Sequence, residues 1–211
     1  MTSRLVVNSV RHTSASSDAI TMDASGNVTF PGNATCSGTP SGFGGGKVGQ
    51  VIQTVKKDRF STTSSTFVDI TGMTVTITPS ATSSKILVSF TGVGGNSGNQ
   101  AYNHCRLNRS IGGGSFNGTF IVGDLANNET QSSIDMSVGS LGSAHPSACT
   151  QTYSFEYLDS PNTTSAIIYK LQVCTTNSGT SGTFIFGGSN GIGDYNGRSA
   201  PCFLTVKEIL A

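Results

Sequence analysis

The chain has 211 residues, with 12 basic against 11 acidic side chains and only 11% charged residues. So thin a charge excludes the basic face with interleaved aromatics that nucleic-acid binding requires. No apolar run approaches the roughly 20 residues of a membrane-spanning helix, which excludes membrane insertion through a helix. With 27 glycines, abundant Ser, Thr, Asn and Val, and few helix formers, the composition points to an all-β domain of short strands joined by polar turns: a sandwich, jelly roll or barrel.

In chain order, Arg4–Val10 (RLVVNSV) reads as a short strand. Its Leu5-Val6-Val7 run is too short for the apolar core of a signal peptide, so no leader is expected. A polar break at His12–Asp18 precedes a second strand at Ala19–Met22. Asp23–Asn27 turns the chain, and Val28-Thr29-Phe30 forms a third strand that Pro31-Gly32 stops. Each piece is too short to bury a core alone. Asn33–Gly46 is dense in Gly, Ser, Thr and Pro and reads as a linker. The organisation expected is an arm over 1–37, a glycine-rich linker over 38–46 and one globular domain over 47–211.

The clearest strand signal lies between Gly46 and Gly92. Met73, Val75 and Ile77 alternate with Thr74, Thr76 and Thr78, a period of two with one buried and one wet face. Pro79 ends the run because it cannot donate to a ladder. Ser80–Ser84 turns the chain and Lys85–Phe90 runs back. With Val48–Lys56 and Phe67–Ile70 as further strands, an antiparallel meander is expected. Lys56-Lys57-Asp58-Arg59 reads as a solvated turn, followed by a Ser/Thr turn.

Beyond Phe90, Gly92–Gln100 reads as a loop, Ala101–Arg109 as a strand, Gly112–Gly114 as a turn and Phe116–Val122 as a strand. Asp124–Pro146 holds one expected strand near Ile134–Val138. Then Tyr153, Phe155 and Tyr157 alternate with polar residues, Leu158–Asn162 turns, and Ile167, Tyr169, Leu171 and Val173 alternate in their turn. These two runs are expected to form a hairpin with an aromatic stripe on one face. Phe184–Phe186 is a further strand, Gly187–Gly197 a loop and Cys202–Leu210 the last strand.

Chemistry-bearing motifs are sparse. Cys36, Cys105, Cys149, Cys174 and Cys202 make no CxxC pair and no zinc spacing, and read as free core thiols of a reducing cytoplasm. Asn33-Ala34-Thr35 and Asn162-Thr163-Thr164 are chance products of the composition, not glycosylation sites. Gly42–Val48 lacks the first glycine and the Ser/Thr of a phosphate loop. His12, His104 and His145 belong to no HxH or HExxH pattern. Glu156 falls on the wet face of a strand, Asp159 in a turn, and Asp124 and Glu129 in a polar loop, so no carboxylate pair for glycoside hydrolysis is expected. The sequence points to no enzyme, no cofactor and no metal site.

The opening RLVVNSVRHTSASSDAITMDASGNVTFPG resembles the N-terminal segment of virion proteins of tailed phages, especially marine and cyanobacterial ones. The body is similar to them as well, through GKVGQVIQTVKKDRFSTTSSTFVDITGMTVTITPSATSSKILVSFTG, YLDSPNTTSAIIYKLQV and the closing FLTVKEILA. The resemblance implies a virion structural protein made in the host cytoplasm: a jelly-roll-like homotrimer of the kind found in capsid decoration and tail-fibre proteins. Its partners would be the major capsid protein or a tail or adaptor protein, with a host surface receptor for a fibre. The absence of shaft repeats favours head decoration or cement over a short tail fibre or spike. A carbohydrate-binding module trails for want of tryptophan. The arm is expected to dock through Leu5, Val7, Val10, Ile20, Val28 and Phe30 by strand addition. The trimer and core face is expected at Met73, Val75, Ile77, Tyr153, Phe155 and Tyr157.

Overall fold

Alternation along Val68–Ile77 sends Ile70, Met73, Val75 and Ile77 to one side, where all four are buried, and leaves the threonines in water. The same rule repeats through the chain and builds an all-β protein of thirteen strands, described by a computed structural model over residues 6–32, 47–96, 102–125, 127, 129–137, 150–176, 183–188 and 199–210. The linker expected over 38–46 lies outside the described residues. The chain divides into two units, Met1–Gly44 and Gly45–Ala211.

In the first unit, β1 (Ser9–Val10), β2 (Ile20–Met22) and β3 (Val28–Thr29) form one antiparallel sheet in sequence order. The first strand is shorter than the RLVVNSV pattern suggests. A hairpin joins β2 to β3, held by Asp23, whose carboxylate accepts from the Ser25 and Asn27 N–H groups and from Asn27 Nδ2. Gly26 supplies the positive φ of 84° that this turn needs.

The second unit is an antiparallel sandwich. One sheet runs β4 (Val48–Lys56), β13 (Cys202–Ile209), β7 (Lys85–Asn96), β10 (Thr150–Asp159), with β12 (Phe184–Phe186) and β5 (Phe60–Thr62) extending it beyond β13 and β4. The other runs β6 (Val68–Ile77), β11 (Ile167–Thr176), β8 (Tyr102–Ile111), β9 (Ile134–Asp135). Two four-stranded layers with the chain crossing between them are the double-sheet jelly-roll arrangement. At one side β4 leans on β6, where Gln50 Nε2 donates to Thr78 O at 2.8 Å and Thr54 Oγ1 to Gly72 O at 3.3 Å.

This topology corrects several expectations. The meander does not exist: β4 pairs β13, β6 pairs β11, and β7 pairs β13, β10 and β12. The hairpin of the aromatic stripe does not exist either, because β10 lies against β7 while β11 lies between β6 and β8 in the opposite sheet. Alternation reports which face of a strand is buried, not which strand lies beside it. The runs expected at Phe67–Ile70 and Met73–Ile77 join in one strand that begins at Val68, with its register against β11 shifting where Gly72 takes φ 83°. The segment expected as a Ser/Thr turn contains β5. Phe116–Val122 is no strand; it holds only a bridge from Asn117 to Arg109.

The expected loop from Gly92 is in fact the continuation of β7 to Asn96. Its glycines answer a packing demand. A Cβ on Gly92 would stand 2.7 Å from Phe90 Cζ and 3.0 Å from Cys202 Sγ, and one on Gly94 would stand 3.0 Å from Phe184. Core side chains occupy the space a side chain would take, so glycine here marks a crowded strand. Between the sheets lie Ile86, Val88, Phe90, Leu204 and Val206 against Met73, Val75, Leu107, Leu171 and Val173, nearly all fully buried.

Candidate interaction surfaces

In the N-terminal sheet, register places Val10 opposite Ile20 and Met22 opposite Val28, all on one face, with Ser9, Thr21 and Thr29 on the other. Phe30 follows Val28 by two residues and continues the apolar row. That row is uncovered: Val10 is 47%, Val28 51% and Phe30 44% exposed, while Ile20 is half-buried. Val7 is also exposed, and Leu5 lies outside the described residues. A shallow groove of about 350 Å³ runs along Ala15, Asp18, Ala19 and Phe30–Gly32.

The six residues expected on the trimer and core face all point into the sandwich. Met73, Val75, Ile77 and Tyr153 are buried. Phe155 and Tyr157 are half-buried, their rings packed 5.6 Å from Phe90 and 5.8 Å from Phe120. Tyr153 donates its hydroxyl to Met136 O at 2.9 Å, and burial pushes its pKa up to about 12. The stripe is therefore core lining, and this sheet offers a partner its other face.

That outer face is ordered in cross-strand rows. One row is Val55, Phe203, Thr91 and Ser154; the next is Gln53, Thr205, Ser89 and Glu156; the third is Val51, Lys207, Leu87 and Leu158. The middle row is polar and internally bonded, Gln53 Nε2 to Thr205 Oγ1 and Ser89 Oγ to Glu156 Oε1, each at 2.8 Å. The rows beside it carry apolar side chains in the open, among them Val51 at 59% and Leu158 at 46% exposure.

The outer face of the second sheet has a different chemistry. Asp69 accepts from Lys170 Nζ at 2.8 Å and Gln172 Nε2 at 2.7 Å, and Gln172 Oε1 accepts from Arg106 Nε and Asn108 Nδ2. Arg106 lies over the Phe67 ring at 4.0 Å and Lys170 over Phe116 at 3.7 Å. Lys170 is thus paired with Asp69, and both cations are shielded by an aromatic ring. At its edge, His104 sits opposite Asp135 in the ladder and its Nε2 meets Thr176 Oγ1 at 3.0 Å. An open cleft of about 570 Å³ lies there, walled by His104, Glu129, Thr130, Ser132, Asp135 and Thr176. Burial lowers the His104 pKa, with Asp135 pulling the other way. Tyr102, exposed, pairs with Thr176 beside it.

Sequence reading missed three buried charges, Asp159, Lys56 and Glu208. Asp159, expected in a turn, ends β10 inside the sandwich against Arg109. Lys56, expected in a solvated turn, ends β4 buried, with Nζ 2.8 Å from Asp58. Asp159 continues the inward phase of Tyr153, Phe155 and Tyr157 and Glu208 that of Leu204 and Val206, whereas Lys56 follows a strand whose Val51 and Val55 face outward, so no local pattern marks it. His145 lies outside the described residues. Among the described residues, no group of three or more His, Cys, Asp or Glu side chains could hold a metal ion.

No protein-family model matches the chain, and no curated protein sequence matches it. Solved structures are similar in part. The structure of the infectious bursal disease virus Gx strain aligns at TM-score 0.36 and 16% identity over 84% of this chain and 43% of that one. The T13 viral particle of the same virus aligns at 0.35 and 16% over 88% and 42%. Its VP2 subviral particle aligns at 0.33 and 17% over 84% and 42%. The chain spans less than half the length of these proteins.

Proposed function

We propose that the chain is a non-enzymatic structural protein of a tailed-phage virion: a homotrimeric head decoration or cement protein attached by its N-terminal arm. The single-layered sheet of residues 6–32 carries this reading. A sheet with one apolar face becomes stable by laying that face on another layer, and here Val10, Val28 and Phe30 stand open. The layer they fit is the surface of a neighbouring virion protein, the major capsid protein or a tail adaptor. The jelly-roll unit has a hydrophobic core of its own. The phage-like opening and closing stretches support the same reading.

The cleft at His104 favours a second reading, a short tail fibre or spike. Its His, carboxylate and hydroxyl lining, beside an exposed Tyr102, suits a hydroxyl-rich ligand on a host surface.

The test mixes the full-length chain with particles that lack it. Wild type should bind and Val28→Asp/Phe30→Asp should not, with both giving the same circular dichroism. Equal binding would move attachment away from the arm. Copies per particle separate the two readings, since decoration requires enough to cover a shell and a tail set requires few.

A further inference from the structure

β10 is the last strand of its sheet, pairing with β7 and with no other described strand. We propose that its free edge pairs with the same edge of a second copy of this chain, antiparallel about a two-fold axis at Phe155. The inference goes beyond the trimeric reading and does not depend on it. A contact of one edge with itself is isologous and closes on two chains. Within a trimeric protein it would join a subunit to one of a neighbouring trimer.

The groups at this edge follow from β7. Val93 N–H points to Cys202 Sγ at 3.4 Å, and Val93 O accepts from Gly187 N–H at 2.7 Å. The odd residues of β7 thus turn their backbone groups to β13 and β12, and the even ones to β10. Register then bonds Gly92, Phe90 and Val88 to Tyr153, Phe155 and Tyr157. The N–H and C=O groups of Thr152, Ser154, Glu156 and Leu158 therefore face the edge, and no backbone bond from a described residue reaches them. The partner that answers such a row of donors and acceptors is another extended strand.

Proteins ordinarily blunt an exposed edge with proline, lysine, a bulge or shortness. β10 uses none of these and runs ten residues against β7 without a register shift. On the opposite side of the sandwich the long edges of β4 and β6 face each other instead. The remaining edge strands of this unit, β5 and β9, have three and two residues.

The side chains of β10 select its own copy. About an axis at Phe155, the inward row sets Phe155 opposite Phe155, and Tyr153 opposite Tyr157 of the second copy, aromatic pairs that favour strand association. Phe155 and Tyr157 point inward yet are only half-buried, and the continued aromatic row covers them. On the outer face Ser154 meets Glu156, and Thr152 meets Leu158, of the second copy, so no like charges stand opposite. An axis at Glu156 would set that carboxylate on itself, and one at Ser154 would set Tyr157 on Gln151.

The experiment uses the full chain with Cys36→Ser and Cys149→Ser, so that the remaining native thiols are the three buried ones. Directly opposite Cα atoms of a ladder lie about 4.5–5.5 Å apart, within disulfide reach. Ser154→Cys/Glu156→Cys should therefore oxidise to a band at two chain masses on a non-reducing gel, while Thr152→Cys/Glu156→Cys stays at one. One chain mass for the first variant, or two for the second, overturns the contact. In the otherwise unaltered chain, Ser154→Pro removes an edge N–H and no bond to β7. Its circular dichroism should match wild type, and wild type should sediment at two or more times its mass. Equal masses overturn the contact. Wild type at two chain masses would sink the trimer and leave this contact standing; a trimer without the cross-link would do the reverse.

Discussion

Arg109 and Asp159 form a bidentate contact inside the sandwich: Nη1 donates to both carboxylate oxygens, at 2.5 and 2.7 Å, across the gap between the two sheets. Tyr169 donates its hydroxyl to the same carboxylate at 2.6 Å, and the guanidinium lies 4.6 Å over the Phe120 ring. Burial and this hydrogen bond hold the Tyr169 hydroxyl well above its ordinary pKa. β8, β10 and β11 are thereby tied at one end of the sandwich.

Removing one partner strands the other in a dry place. Arg109→Met should therefore destabilise the fold by about 3–5 kcal/mol. Tyr169→Phe removes one charged hydrogen bond and should cost about 1.5–3 kcal/mol. Urea denaturation measures both. Equal, small losses for the two variants would mean that water reaches Asp159.

Gly92→Ala should destabilise by about 1–3 kcal/mol through overpacking. The new Cβ meets the Phe90 ring, which cannot swing aside because Phe155 and Phe186 hold it at 5.6 and 5.9 Å. The penalty should shrink when Phe90 is first changed to Leu. An identical penalty in both backgrounds would locate the strain elsewhere.

Glu208 joins three segments. Its Oε1 accepts from Ser80 N–H at 2.6 Å and Ser80 Oγ at 2.7 Å, and its Oε2 from Gln50 Nε2 at 2.8 Å. Burial pushes this carboxyl up, but the hydrogen bonds outweigh it and leave it below its ordinary 4.5. A carboxyl whose folded pKa is depressed stabilises above the unfolded value and loses that contribution as pH falls through the folded one. Urea midpoints should thus drop more steeply below pH 4.5 in wild type than in Glu208→Gln. Parallel curves in that window would remove Glu208 from the acid response.

Thiol labelling reports the core. Of the five cysteines, Cys105, Cys174 and Cys202 are free and buried. Burial raises all three thiols, with Cys174 reaching about 11 against the pull of Arg106. At neutral pH these three should stay unlabelled until denaturant is added, because the thiolate is the reacting form and none is accessible. Fast reaction of Cys105 in the native protein would contradict its place between the sheets.

The all-β class, most strand positions and the inward residues are written locally, in the period-two alternation of Met73–Ile77, Tyr153–Tyr157 and Ile167–Val173. Each is decided by neighbours one and two residues away, so a linear reading reaches them. The exposed apolar row of the arm was legible for the same reason. Strand partners were not: the bond between β10 and β7 joins residues more than fifty positions apart and leaves no mark on either strand's own pattern. For that reason the sequence suggests a meander and a hairpin that the fold does not contain, and its alternation does not separate a core-lining stripe from one that meets a partner. Composition suggested a loop at Gly92–Asn96, and only Phe90, Phe184 and Cys202, arriving from elsewhere in the chain, turn those glycines into the middle of a strand. The outer face of rows Val55–Ser154 and Val51–Leu158 is likewise a product of tertiary structure, since four strands drawn from both ends of the domain must align before it exists. Burial is a property of each strand; adjacency is a property of the whole chain.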